Sequence, residues 1–273
     1  MCHACVIDSV KHSMLSRRSF FTAASASAGA AVVAPLAMAR PALAEVTHGG
    51  RVVDLTHAYD SAFPTFDGVP GITQEEAANF DKSGYQLYKL TIFEHTGTHI
   101  DAPLHFSRDG LSVDELEPSR LVCPLCIVDI TAKAKDDPNA TLEAEDIERF
   151  VSAHGEIPAG ACVALRSGWA AKLGTPAFRN DAAGNFAFPG FAKSATDLLA
   201  ERDVSAIGVD TLSLDPGNSA DFAVHSSWLP SGRYGIEGLA NLEALPVTGA
   251  TIVVGAPKHK GGTGGPARVL ALV

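Results

Sequence analysis

His95-Thr-Gly-Thr-His99-Ile-Asp101-Ala-Pro-Leu-His105 packs three histidines and an aspartate into eleven residues, at odd-numbered positions around Gly97 and Pro103. Neutral imidazole and carboxylate are the donors that a borderline divalent cation such as zinc or manganese takes. On a strand, residues two apart share a face, so His99 and Asp101 would stand roughly 6.6 Å apart on one side. A straight strand would also leave His95 and His105 roughly 33 Å apart, so a shared site requires the segment to bend. Gly97 permits one bend and Pro103 imposes another. The same two residues oppose a helix. A cap or turn accounts for one such side chain but hardly for four, so the stretch reads as a metal motif on a bent strand.

Outward from this motif, β-rich apolar runs occur at 51–55, 86–94, 121–130, 161–166, 206–210, 251–255 and 267–273. Two helices stand out. Ala144–His154 places Ile147, Phe150 and Val151 on one face and stops at Gly155; Phe191–Arg202 aligns Phe191, Ala195, Leu198 and Leu199. Too few helices alternate with too many strands for a doubly wound fold. The prediction is a single α/β domain over residues 45–273, a mixed β-sheet with packed helices.

Residues 1–44 are set apart. Ser16-Arg-Arg-Ser-Phe-Phe21 is a twin-arginine pattern, followed by an Ala/Ser-rich run to Ala39 and a small-x-small site at Ala42-Leu-Ala44. This reads as a Tat signal peptide, removed on export to the periplasm, with residues 1–13 a possible start-site extension before Met14. Ala and Ser in place of Leu and Ile make the run a poor permanent membrane anchor. Its removal takes away Lys11, Arg17, Arg18, Arg40 and Asp8, leaving 17 basic and 30 acidic side chains and a net charge of −13. That balance excludes nucleic acid and anionic membrane surfaces as partners. A hydrophobic content of 46% supports a real core.

Three cysteines remain, an odd number that makes no disulfide framework. Cys123-Pro-Leu-Cys126 has the spacing of a redox or zinc pair. It lies inside an apolar run, where residues three apart face opposite sides of a strand, so buried thiols are the favoured reading. Residues 170–190 lack a period and carry Phe178, Phe186 and Phe188, as a binding loop or a surface excursion would. Phe63, Phe66 and Trp169 are candidate aromatic walls of a substrate pocket, though each could equally be core. His225 and Glu237 form a second candidate ligand pair that spacing alone supports weakly. The run Gly261-Gly-Thr-Gly-Gly265 is not a phosphate loop, because a strand follows it where a helix N-terminus is needed. A tight approach to the site or to a neighbouring subunit fits it better.

The motif at 95–105 resembles the HxGTHxDxPxH signature of the cyclase-like metal-dependent hydrolases, a family that includes bacterial kynurenine formamidases and isatin hydrolases. Asp54-Leu-Thr-His57 is similar to the family's opening strand. Leu165–Trp169 and Gly208–Asp215 look like internal strands, and Lys258–Arg268 like its glycine-rich closing segment. The resemblance implies a swivelling β/β/α cyclase-like fold. It implies His95, His99 and Asp101 as ligands of a first metal, with Asp101 bridging to a second ion held by His225 and Glu237. It implies His105 as general acid/base, one or two Mn2+ or Zn2+ ions, and a homo-oligomer.

A divalent cation activates water and polarises a carbonyl, and a histidine beside it can move the proton to a leaving nitrogen. The expected function is hydrolysis of a small amide or an isatin-like lactam. Arylformamidase action on N-formylkynurenine is the alternative, and export disfavours it because tryptophan catabolism is intracellular. A metal-dependent lyase or cyclase and a non-catalytic metal- or small-molecule-binding protein are the competing classes. Partners are a small-molecule substrate and the Tat export machinery. Folded export would allow manganese to be loaded where it need not compete with copper and zinc, which outrank it in affinity.

Overall fold

A computed structural model describes residues 50–273, so the signal-peptide reading and the N-terminal cysteines lie outside the described residues. The strands are β1 (Val52–Asp54), β2 (Ile72–Ala78), β3 (Leu87–Ile92), β4 (His99–Asp101), β5 (Val122–Asp129), β6 (Thr141–Leu142) and β7 (Cys162–Arg166). They continue as β8 (Gly190–Phe191), β9 (Ala206–Val209), β10 (Tyr234–Glu237), β11 (Ala250–Gly255), β12 (Gly264–Pro266) and β13 (Arg268–Leu272). The α-helices are α1 (Phe80–Ser83), α2 (Thr131–Asp136), α3 (Ala144–His154), α4 (Lys193–Glu201) and α5 (Ala223–Trp228).

Nine strands form one curled mixed sheet in the order β1-β13-β11-β5-β7-β9-β10-β4-β12. The pairs β5–β7, β7–β9 and β9–β10 are parallel, and the flanking pairs are antiparallel. Parallel strands are normally covered on both faces, and their sequences here are apolar at successive positions accordingly. Along β5, Leu125 and Ile127 enter one core while Cys126 and Val128 enter the other. The second core is roofed by Ile147 and Phe150 of α3, Ala195 and Leu199 of α4, and Trp228 of α5. Truncating a fully buried residue such as Ile147 to alanine should cost about 2–5 kcal/mol.

The helix at 144–154 has the predicted bounds. Glu143 and Asp146 form a reciprocal capping box at its start, and Gly155 ends it at φ 90°. The second predicted helix starts two residues late, at Lys193, because Gly190 and Phe191 pair as β8 with β6. Asp54 of β1 accepts a forked pair of bonds from Arg268 of β13 at 3.0 and 2.7 Å. The first and last strands of the described residues are thereby tied together.

Candidate metal centre

The 95–105 motif bends where its glycine and proline stand. Gly97 turns the chain at φ 66°, with the Tyr59 ring against the space a Cβ would take. His99–Asp101 then runs as a short buried strand, and Pro103 starts a 3-10 turn that ends on His105. The result brings the two ends of the motif together: the His95 and His105 rings stack with centroids 3.8 Å apart. β4 lies between β10 and β12, with Glu237 registered opposite His99. Thr98 secures this register, since its hydroxyl donates to Gly238 O at 2.5 Å and accepts from His57 N at 3.0 Å.

His225 arrives from α5, a helix that periodicity does not reveal. Its first turn is capped from a distance by Asp215, which accepts from Val224 N at 2.8 Å and His225 N at 3.0 Å. The same carboxylate holds the His225 ring, with Nδ1 at 2.6 Å from Oδ2. Asp215 is the orienting residue that spacing rules overlooked; its position ten residues before His225 matches no local capping pattern.

The donors converge on two buried carboxylates. His99 Nδ1 donates to Gly97 O at 3.0 Å, which leaves Nε2 at 3.3 Å from both Asp101 Oδ1 and Glu237 Oε2. His225 Nε2 lies 3.2 Å from Glu237 Oε1 and 3.8 Å from Asp101 Oδ2. His95 Nδ1 lies 2.7 Å from Asp101 Oδ1. Two compact donor groups result, His95 with Asp101 and His105, and His99 with Asp101 and Glu237. Asp101 belongs to both, as a bridging ligand would. The grouping differs from the expected first set in placing His95 with His105 and His99 with Glu237.

The residues fit a divalent cation. His99 Nε2 and Asp101 Oδ2 are buried and make no hydrogen bond, which a protein interior rarely tolerates. Each of His99 and His225 gives one ring nitrogen to an acceptor and turns the other toward carboxylate oxygen, the arrangement that orients metal-binding imidazoles. Electrostatics agree. Burial pushes Asp101 up, yet His99 and His95 outweigh it and hold its carboxyl well below the ordinary range. Burial opposes charge on His225, but Asp215 and Glu237 prevail and raise its pKa to about 10. The cluster thus draws positive charge to one point.

His105 behaves oppositely. Burial, reinforced by His95 and His225 and opposed by Asp101, lowers its pKa to about 4. It is a neutral imidazole at pH 7, able to accept a proton.

Above the cluster opens a cavity of about 300 Å3, lined by Phe63, Phe66, Phe93, Phe106, Phe178 and Phe222, with His95, His99, His105, His225 and Glu237 at its floor. Phe63 and Phe66, two of the candidate aromatic walls, line this cavity. Trp169 does not. It is buried against Phe178 and Phe188, donates Nε1 to Phe178 O at 2.9 Å, and lines no part of this cavity. Residues 170–190 do both things expected of such a segment. They pack on their own aromatics and also deliver Phe178 to the cavity wall, while Arg179 clamps Thr65 O at 3.0 Å and Phe66 O at 2.6 Å. The Cys123 and Cys126 thiols sit in different cores, so they make no ligand pair.

Fold and site together define the class, an α/β metal-dependent hydrolase whose donors gather at one end of a curled mixed sheet. Residues 53–216 match the Cyclase family model. The chain is 31% identical over 217 residues to an isatin hydrolase of Roseibium aggregatum, covering 75% of this chain and 82% of the relative. It is 27% identical to a kynurenine formamidase of Salinibacter ruber, over 80% of this chain and 96% of that one. The solved isatin hydrolase A from Ralstonia solanacearum superposes with a TM-score of 0.76 at 35% identity, covering 82% of this chain and 92% of its own. The chain belongs to the Cyclase family.

Proposed function

We propose that the protein hydrolyses a small cyclic amide of the isatin type, with His105 as the acid/base group. The observation that carries this is a neutral His105 stacked on His95, beside the carboxylate cluster and beneath an aromatic cavity of about 300 Å3. His95, His99, Asp101, His225 and Glu237 would hold the metal, manganese in preference with zinc next. When bound, a divalent cation supplies a Lewis acid that acidifies water and polarises a carbonyl. His105 takes a proton from the attacking water and returns it to the ring nitrogen as the C–N bond breaks; the new carboxyl group loses the second water proton to solvent, leaving a carboxylate and a free amine. Phe63, Phe66 and Phe178 exclude bulk water and stack on a planar ring. Isatin hydrolases among the relatives support the lactam over the formamide. Kynurenine formamidases among them make N-formylkynurenine the second substrate to test.

Export by the Tat route to the periplasm and assembly as a homo-oligomer belong to the same proposal. The β2–β3 hairpin supports the second. Its strands pair only with each other among the described residues, and Tyr88, Leu90 and Ile92 are exposed at alternate positions along β3. A two-stranded hairpin is marginal alone and gains stability when its apolar side is covered.

The test is metal analysis of the mature protein together with turnover of isatin against N-formylkynurenine. Preference for isatin is expected. Bound metal with neither substrate cleaved would overturn the isatin-type assignment. In His105→Ala, turnover should fall about 100- to 10,000-fold with metal retained; loss of the metal would make His105 a ligand and not the base.

A further inference from the structure

Glu94, Thr263 and His259 form a hydrogen-bonded group beside the cluster that no step above uses. Glu94 immediately precedes His95, and the other two come from the glycine-rich closing segment. Three donors converge on the Glu94 carboxylate. His259 Nε2 lies at 2.5 Å, the Thr263 amide at 3.2 Å from each oxygen, and the Thr263 hydroxyl donates to Oε2. A carboxylate so surrounded acts as acceptor only, and a hydroxyl has a single hydrogen to give. Thr263 Oγ1 therefore meets His95 Nε2, 2.9 Å away, with a lone pair. Nε2 must therefore be the N–H donor, and in that tautomer the lone pair sits on Nδ1, facing Asp101.

Without this group the opposite tautomer wins. A proton on Nδ1 would make a charge-assisted bond to Asp101 Oδ1 across 2.7 Å, and the nitrogen would be lost as a donor to metal. We propose that Glu94 and Thr263 are positioning residues that hold His95 as its Nε2–H tautomer, so that Nδ1 is presented to the cation. The inference rests on the reading of His95 as a metal ligand. His99 and His225 get the same service from Gly97 O and Asp215 inside the core. His95 is the most exposed of the three, with 26% of its side chain accessible, and its tether is reached from solvent through His259.

The Gly-Gly-Thr-Gly-Gly composition follows from the same geometry. A Cβ at Gly262 would fall 2.1 Å from His259 Nε2 and 2.7 Å from Glu94 Oε1. One at Gly264 would fall 2.8 Å from His95 Cε1 and 2.2 Å from Ile100 O. Thr263 is the side chain of this run that reaches between Glu94 and His95.

The experiment compares zinc affinity, by chelator competition, in the full mature chain and in Thr263→Val, which keeps the side-chain shape and removes the hydroxyl. A loss of about 10- to 100-fold is expected, the usual effect of removing a group that orients a metal-binding histidine. Thr263→Ser should restore it. In the zinc-loaded native chain the His95 Nε2–H resonance should be protected from solvent exchange, and in Thr263→Val that protection should disappear. Wild-type zinc affinity and an unchanged resonance in Thr263→Val, with zinc lost in His95→Ala, would overturn the proposal alone. Unchanged zinc affinity in His95→Ala would overturn the metal-ligand reading and the proposal with it.

Discussion

His95–His105 and Cys123–Cys126 both place metal-binding side chain types a few residues apart, and both contribute a strand to the same nine-stranded sheet. In the first, the chain turns at Gly97 and again at Pro103, so three histidines from one segment meet around Asp101. In the second, β5 runs straight through the sheet, and a spacing of three sends one thiol to each face. Surroundings differ in the same sense. The histidines meet two buried carboxylates, whereas burial pushes the Cys126 thiol up to about 11, far from the thiolate that a metal needs. Ligand types at short spacing make a site only when backbone geometry folds them onto one point and a counter-charge is waiting there.

Asp101→Ala bears hardest on this contrast. Asp101 belongs to both donor groups, so its removal should lower metal affinity by more than about 100-fold, beyond what loss of an orienting neighbour costs, and turnover should vanish with it. Metal analysis after dialysis checks this; a fully loaded variant would break the claim of convergence. Chelation of the native chain should have the next largest effect. Metal held at about a thousand times its Kd stabilises by about 4 kcal/mol, and for a chain of this size that is a fall in Tm of roughly 10 °C on chelation. Differential scanning fluorimetry with and without chelator reads the shift. Asp101→Ala should show none of it.

Much of the sheet was legible because its signal is local. Alternation along β5 and the apolar runs of β7 and β9 follow from burial on both faces, and α3 carries its own cap and stop. The metal motif was legible for the same reason, since one segment carries most of it. What escaped depends on contacts distant in sequence. α5 is capped by Asp215, and His95 is tied by Thr263, 168 residues away. Trp169 stayed open between wall and core for a related cause. Its neighbours in the chain are those of a loop, but its burial is set by Phe178 and Phe188, and an aromatic residue in a loop reads the same whether it lines a cavity or supports the wall behind it. Glu237 was only a weak candidate on spacing, because its strand pairing with His99, which brings its carboxylate to the cluster, leaves no local signal.

Cys123→Ser sets the lower end of the contrast. The side chain is buried beside Tyr234, in the core on the opposite face of the sheet from Cys126. Replacing a buried thiol with a hydroxyl introduces a polar group with a desolvation cost of about 1–3 kcal/mol unless it finds a partner, so a modest drop in Tm is expected. Metal content and zinc affinity should stay at the native level, because neither thiol offers a lone pair to the Asp101 cluster. A variant that folds with the native far-UV spectrum yet loses its metal would show that Cys123 and Cys126 do share an ion, and the argument from strand alternation would fall.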